Sequence, residues 1–238
     1  MDTLANTRRR KEKLYLGYAG RRVAANEAAT APPPLEGEIV VTRDGTRLLL
    51  RDIHPNDVQA LQRGFAGLTA LEVRYRFLHP LTELPEALAR NLCDIDREHA
   101  VALVLIDAPD RSPSAMDRSP SAPEAMDGRE GPAEAMDGRE RPPEEKEPEI
   151  HAVARAFIDP VTQGAEFALV VQHQFGGQGF GTLLMQRLIA ACRALGAAEL
   201  WGDVLAENGA MLELCEHLGF SRHPNFGDPG VIRVTLPL

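Results

Sequence analysis

Cysteine is scarce in this 238-residue chain, and what there is does not pair. Cys93, Cys192 and Cys215 form no CxxC motif and no metal-ligand spacing, which argues against a disulfide scaffold or a zinc module, and no metal site is expected. Cys192 and Cys215 fall within apolar helical patterns, where a free thiol acts as a small hydrophobe, and a reducing, cytoplasmic setting is expected. No apolar run approaches the roughly 20 residues of a membrane helix. The basic N-terminus also lacks the apolar stretch of a signal peptide, so no membrane partner is expected. Aromatic residues make up only 5% of the chain, leaving Leu, Val, Ile and Ala to build the core. Basic excess is missing as well, the net charge being -9. An acidic body argues against nucleic acid as partner, since phosphate binding needs a basic face, and is compatible with a cationic substrate.

What is present suffices for a packed domain. Hydrophobic content is 44%, adequate for a core, and the length suits one domain with additions or two small ones. Residues 1–30 carry seven basic side chains against three acidic, and residues 108–149 carry six against twelve. Residues 1–35 read as a disordered tail, with a basic cluster at Arg8, Arg9, Arg10, Lys11 and Lys13 followed by an Ala/Thr/Pro-rich stretch that could bury little surface. A docking arm is the alternative reading of that cluster.

Two strands around residues 39–41 and 48–50 meet at Asp44-Gly45, a favoured hairpin turn. Pro55-Asn56-Asp57 then opens a helix with Val58, Leu61, Phe65 and Leu68 at helical spacing. Thr69-Ala70-Leu71-Glu72 has the form of a capping box for a second helix, stopped by His79-Pro80. A third helix is expected over residues 85–92 and a buried strand over 101–106. Residues 108–149 break the pattern: Ala-Met-Asp recurs at 115, 125 and 135, a period of ten, among Pro, Ser, Glu, Asp, Arg and Gly. With one large apolar residue per unit, such repeats cannot stack into a core. They read as a disordered insertion that lengthens the turn between two neighbouring strands, which loop-closure entropy tolerates. An inert spacer is the preferred role, a regulatory or partner-binding segment the alternative.

Residues 164–195 hold the chemistry. An apolar strand carrying one acid, Glu166, runs into Gly176-Gly177-Gln178-Gly179-Phe180-Gly181, and that turn opens an amphipathic helix. Strand, glycine turn and helix in that order make an anion site from backbone N–H groups. A strand over 199–205, a helix over 208–218 ended by Gly219, and a strand over 231–236 complete the chain. Strands that precede, separate and follow helices give a single α/β or α+β domain.

These residues resemble the GNAT N-acetyltransferases. The run from Val171 to Thr182 is similar to that family's acetyl-CoA signature, Gln/Arg-x-x-Gly-x-Gly/Ala between a strand and a helix. Ala206-Glu207-Asn208-Gly209-Ala210-Met211 with Leu218-Gly219-Phe220 resembles its second signature, and Leu50-Arg51-Asp52-Ile53-His54-Pro55-Asn56-Asp57 its opening strand and first helix. Arg74-Tyr75-Arg76-Phe77, Asp94-Ile95-Asp96-Arg97-Glu98 and Ala165-Glu166-Phe167-Ala168 further resemble the GNAT domain of bacterial Pat-type protein lysine acetyltransferases, which modify acyl-CoA synthetases. The likeness covers residues 38–107 and 150–238. It implies one GNAT domain over 36–238, interrupted by 108–149, with a mixed, mostly antiparallel sheet flanked by helices. Two positions depart from the pattern. Gly176 stands where the family usually has Gln or Arg, and Cys215 where many members place a Tyr that protonates the leaving thiolate. Pat-type enzymes often lack that Tyr too. Larger Pat-type proteins carry an additional nucleotide-sensing or CoA-ligase-like domain, for which these 238 residues leave no room.

The resemblance implies acetyl transfer from acetyl-CoA to a primary amine by direct transfer in a ternary complex, a protein lysine being the leading acceptor and an acyl-CoA synthetase a possible protein partner. It assigns Glu166 as the base that takes a proton from the ammonium. Burial among apolar neighbours would raise the pKa of an acid there toward a useful range; a solvent-facing strand acid is the plainer alternative. Leu169, Val170 and Val171 make the pantetheine and thioester grip, through backbone groups of Leu169 and Val171. Gly176, Gly177, Gln178, Gly179, Phe180, Gly181 and Thr182 form the pyrophosphate cradle, close strand–helix packing being a compatible reading of the glycines. Asn208 would touch the CoA arm, or cap a helix, or both. His173 reads as a solvated loop residue, and His99 and His151 flank the insertion without ligand spacing. A small-molecule amine acceptor and a non-catalytic acyl-CoA-binding module stay open as alternatives.

Overall fold

The structure, a computed structural model, describes residues 37–109, 148–225 and 227–238. The expectations for the N-terminal tail and for nearly all of the 108–149 insertion lie outside the described residues. Eight strands, β1 Glu38–Val41, β2 Arg47–Asp52, β3 Ala100–Asp107, β4 Ile150–Ile158, β5 Gly164–Val171, β6 Glu199–Leu205, β7 Ser221–Pro224 and β8 Val231–Pro237, form one sheet in the order β1-β2-β3-β4-β5-β6-β8-β7. Every neighbouring pair is antiparallel except β5 and β6. Among the described residues five helices accompany it: α1 Val58–Ala66, α2 Ala70–Phe77, α3 Glu86–Cys93, α4 Phe180–Ala194 and α5 Gly209–His217. This is the mixed, mostly antiparallel α/β domain that the residues imply.

Both faces of the sheet are covered, and the strand sequences record it. In β3 every residue from Val101 to Ile106 is buried, which is why this stretch is a continuous apolar run rather than an alternating one. Leu103, Ala154, Phe167 and Leu200 pack with α4, whose Phe180, Leu184, Met185, Leu188, Ile189 and Cys192 recur at helical spacing and are all buried. At roughly 1.5–3 kcal/mol for each large apolar side chain removed from water, this stripe is what fixes α4 on the sheet. Ala102, Val104, Ile106 and Val153 take the opposite face, against α1, α2 and α3. Gly202 on β6 marks a close approach: a Cβ there would lie 2.7 Å from the Phe167 ring, which stands edge-on to Phe220 with centroids 5.5 Å apart.

Local signals set the helix starts. A short 3-10 turn over Pro55–Asp57 precedes α1. Arg51 donates to both Asp57 carboxylate oxygens, at 2.7 and 2.8 Å, and the His54 N–H donates to Oδ2 at 2.6 Å. At α2 the capping box forms as the spacing predicts: Glu72 N donates to Thr69 Oγ1 at 3.2 Å, and Thr69 N donates to Glu72 Oε2 at 2.6 Å. Leu78, in the left-handed region, ends the helix just before His79-Pro80. β3 and β4 are antiparallel neighbours, so residues 108–149 leave and rejoin the sheet at adjacent strand ends. One strand escapes the sequence pattern. β7 has four exposed residues and no apolar alternation, and only its pairing with β8 defines it.

Candidate active site

The site begins where two parallel strands part. β5 and β6 pair only from Gly164, Ala165 and Glu166 to Glu199, Leu200 and Trp201, although β5 runs on to Val171 and β6 to Leu205. On the other side, β5 stays paired to β4 as far as Val171, and the Gln172 N–H donates to His151 O at 3.0 Å. Main-chain groups of successive residues in a strand point to opposite sides. Those of Glu166, Ala168 and Val170 therefore face β4, while those of Phe167, Leu169 and Val171 face the gap. A half-open strand edge of this kind offers N–H and C=O groups to an extended ligand, much as it would to an added strand.

At the far end of β5 the chain turns through a 3-10 segment, His173–Phe175, into the glycines. Gly177 (φ 69°) and Gly179 (φ 88°) take left-handed conformations, which side chains disfavour by roughly 1–2 kcal/mol per residue. A Cβ on either would meet nothing within 4 Å. Backbone conformation rather than crowding is thus what calls for glycine, and space is open in front of the turn. Gly179 is the N-cap of α4 and no side chain caps that end. The first backbone bond across it runs from Leu183 N–H to Gly179 O, at 3.0 Å, so the N–H groups of Phe180, Gly181 and Thr182 have no partner within the helix. Together with the positive end of the helix dipole they suit an anion. The Phe180 side chain is buried in the core and only its amide belongs to the turn. Gly176 spends its N–H on His173 O at 2.9 Å, and a Cβ there would lie 3.0 Å from the same oxygen. Gln178 Oε1 accepts from Arg43 N–H at 3.3 Å, tying the turn to the β1–β2 loop.

Beside the gap lies a cleft whose walls include Tyr75, Arg76, Glu166, Asp203, Asn208 and Met211. Leu169, from the thioester-grip set, also lines it. Glu166 is half-buried on β5. Asp203, with only 7% of its side chain exposed, stands on β6 and accepts from Arg233 at 3.0 and 3.1 Å; the Arg233 guanidinium lies 4.2 Å from the Trp201 ring centroid. Asn208 is buried, and its Oδ1 accepts from Met211 N–H at 3.2 Å, so it caps α5 while lining the cleft. The Tyr75 hydroxyl donates to Glu207 O at 3.4 Å, and Arg74 pairs with the Glu207 carboxylate at 3.1 Å, joining α2 to the β6–α5 loop. The cleft thus brings two carboxylates and a phenol to one end of the β5–β6 gap, with the anion-suited turn at the other.

The sequence-predicted residues do not all face one way. Val170 turns its side chain to the α1–α3 layer and its main-chain groups to β4. Cys215 is fully buried on α5 and burial pushes its thiol up to about 12, so it is absent from the cleft as a proton donor. Cys192 is pushed up to about 12 and Cys93 to about 11 by the same cause. His173 is 65% exposed and lies 3.5 Å from Glu72. His151 is buried rather than a mere flank of the insertion: its Nε2 lies 2.7 Å from Asp107 Oδ1, and its ring packs on Phe175. Asp96, Glu98 and His99 bring ligand-type atoms within 4.8 Å of one another at a surface turn. Asp203 and Tyr75 are among the cleft residues that the site assignment from sequence misses. An acid within the apolar strand Glu-Leu-Trp-Gly-Asp-Val-Leu is the same signal that singles out Glu166, so Asp203 was findable; Tyr75 was not, because only tertiary packing carries α2 to the gap.

Comparison with known proteins places these features. Residues 118–220 match the profile of the acetyltransferase (GNAT) family. The GNAT domain of S. lividans PAT superposes with a TM-score of 0.62 at 20% identity, over 85% of this chain and 97% of that one. Spermidine N-acetyltransferase from Vibrio cholerae, in complex with CoA and spermine, superposes with a TM-score of 0.51 at 16% identity, over 80% and 95% of the two chains. A GNAT-family acetyltransferase from Streptococcus pneumoniae matches with a TM-score of 0.51 at 15% identity, over 80% and 99%. At these identities the likeness establishes the fold.

Proposed function

We propose that this chain, a GNAT-fold protein by its profile match and its sheet, transfers an acetyl group from acetyl-CoA to a primary amine, with a protein lysine as the acceptor. One observation carries the reading. The β5–β6 gap joins an uncapped helix start at one end to a half-buried glutamate at the other. The residues fit CoA. The amides of Phe180, Gly181 and Thr182 suit a pyrophosphate, and the main-chain edge of Phe167, Leu169 and Val171 suits the amide-bearing pantetheine arm. Acetyl-CoA supplies the activated acyl group; the remaining chemistry belongs to the chain.

In this reading the Leu169 and Val171 backbone groups hold the thioester and polarise its carbonyl, which is worth most where water is excluded. Glu166 takes a proton from the incoming ammonium, because only the neutral amine is a nucleophile. The new C–N bond replaces the C–S bond, the nitrogen releases its second proton to solvent as the amide forms, and the departing thiolate takes one proton from solvent. Glu166 is the acid toward which a cationic amine is drawn, the Asp203 charge being paired with Arg233. The resemblance to Pat-type enzymes supports an acyl-CoA synthetase as the protein acceptor, and the lack of a long apolar helix among the described residues is compatible with a cytoplasmic setting.

Incubation with labelled acetyl-CoA and a cell lysate, followed by mass spectrometry, tests the assignment. Acetylated lysines are the expected product. Labelled small amines with unmodified protein would replace the lysine reading with a small-molecule one, and tight CoA binding with no transfer at all would leave a binding module.

A further inference from the structure

The catalytic cleft has an apolar neighbour. A second space, partly open to solvent and lined mainly by apolar side chains, lies between the α1–α3 layer and the centre of the sheet, walled by Leu61, Phe65, Leu68, Phe77, Leu84 and Val153 among others. The two spaces adjoin along one face of β5. Glu166 and Ala168 line the cleft, and Val170 and Gln172, next on the same face, line the cavity. Arg76, on α2, borders both. Protein interiors are close-packed and hold few such spaces, and an apolar one takes apolar occupants.

Gln172, Arg155 and His151 at its border are hydrogen-bonded to the protein itself. Gln172 Nε2 donates to Gly64 O at 3.2 Å and to Ile150 O at 3.3 Å, and Arg155 donates to Leu92 O at 2.6 Å. His151 is held by Asp107, and the Arg76 guanidinium lies 4.9 Å from the centroid of the Phe77 ring. The lining therefore fits a hydrocarbon chain better than an ionic ligand.

We propose that this cavity receives the acyl chain of CoA thioesters longer than acetyl, so that the protein accepts medium-chain acyl donors. The inference rests on the proposed binding of CoA in the β5–β6 gap. Leu169, assigned to the thioester carbonyl, is the immediate neighbour of Val170 in the cavity wall, whereas the acceptor amine belongs with Glu166 in the cleft. The acyl group rather than the acceptor is therefore the part of the reaction that leads into the apolar space.

Calorimetric titration of the full chain with CoA, acetyl-CoA and hexanoyl-CoA tests this without knowledge of the acceptor. Each added methylene is worth roughly fourfold in affinity when fully buried, so hexanoyl-CoA is expected to bind at least about tenfold more tightly than acetyl-CoA. Leu68→Trp and, independently, Leu84→Phe add bulk at two positions in the cavity wall. Either folded variant should abolish the hexanoyl advantage and leave acetyl-CoA affinity unchanged, with thermal melting confirming the fold. Hexanoyl-CoA binding no tighter than acetyl-CoA in the unaltered protein, or an advantage that survives the folded variants, overturns the acyl-chain site while the acetyltransferase reading stands. Failure of every CoA species to bind removes the CoA reading itself, and the acyl-chain site with it.

Discussion

Glu166 and Asp203 stand on neighbouring strands at the mouth of one cleft, yet their surroundings give them different work. Asp203 is held by two bonds from Arg233, which fix its carboxylate in place. Glu166, on the strand proposed to hold the thioester, is the proposed base. Glu166→Gln should lower kcat on the order of 10²–10⁴-fold and leave acetyl-CoA affinity intact, read by steady-state rates beside calorimetry; equal loss of binding would mean a structural role. Asp57 answers to pH in a defined direction. Burial favours its neutral form, but the Arg51 guanidinium and the His54 N–H outweigh burial and hold the carboxyl below its ordinary 3.8. The stability that this contributes is present above the ordinary value and is lost as pH falls through the lower, folded one. Asp57→Asn should cost roughly 2 kcal/mol at neutral pH, and the gap to the unaltered protein should close in acid below that range. Urea midpoints across the pH series measure both limbs.

At the scale of elements, the site depends on how two helices begin. The open start of α4 needs a left-handed residue at its N-cap. Gly179→Ala should therefore destabilise by roughly 1–2 kcal/mol and weaken acetyl-CoA binding more than it lowers kcat. The start of α2 is the reverse case, closed by its capping box, and this helix carries Tyr75 and Arg76 into the cleft. Thr69→Ala should cost about 1 kcal/mol and raise KM for the amine while leaving KM for acetyl-CoA nearly unchanged. Denaturant midpoints and initial rates with both substrates separate these two effects. Element starts of this kind are legible in sequence because the side chains that make them are three or four positions apart. β7 shows the opposite: with no apolar face of its own, it exists through β8.

For the whole molecule, the open question is the long segment between β3 and β4. Their ends are already joined across the sheet, with Glu149 N–H donating to Asp107 Oδ2 at 3.3 Å, and lengthening a loop adds only about 0.6 kcal/mol per doubling. Replacing residues 108–148 with a short Asn-Gly turn should leave melting temperature and acetyl transfer nearly unchanged. A large loss of either would give the segment a role in the fold or the reaction. His151 and Asp107 sit at this junction, with the His151 ring against Phe175 beside the glycine turn, so the two-residue turn is best placed after Asp107 and before Glu149.

By itself the sequence determined the strands other than β7, the helices, the glycine turn and the acid ahead of it, because hydrophobic period, cap residues and left-handed glycines all act within a few residues of one another. Glu166 and the residues 176–182 could be named on those grounds. Only the tertiary structure decided that β5 and β6 separate after three paired positions, since that depends on what packs on each side of them. It also decided which main-chain groups of β5 face the gap and that Val170 belongs to the other side. Asp203 and Tyr75 join Glu166 only across the folded sheet, and the apolar cavity beyond Arg76 exists only between layers. Such features are set by contacts between residues tens of positions apart, which no local period records.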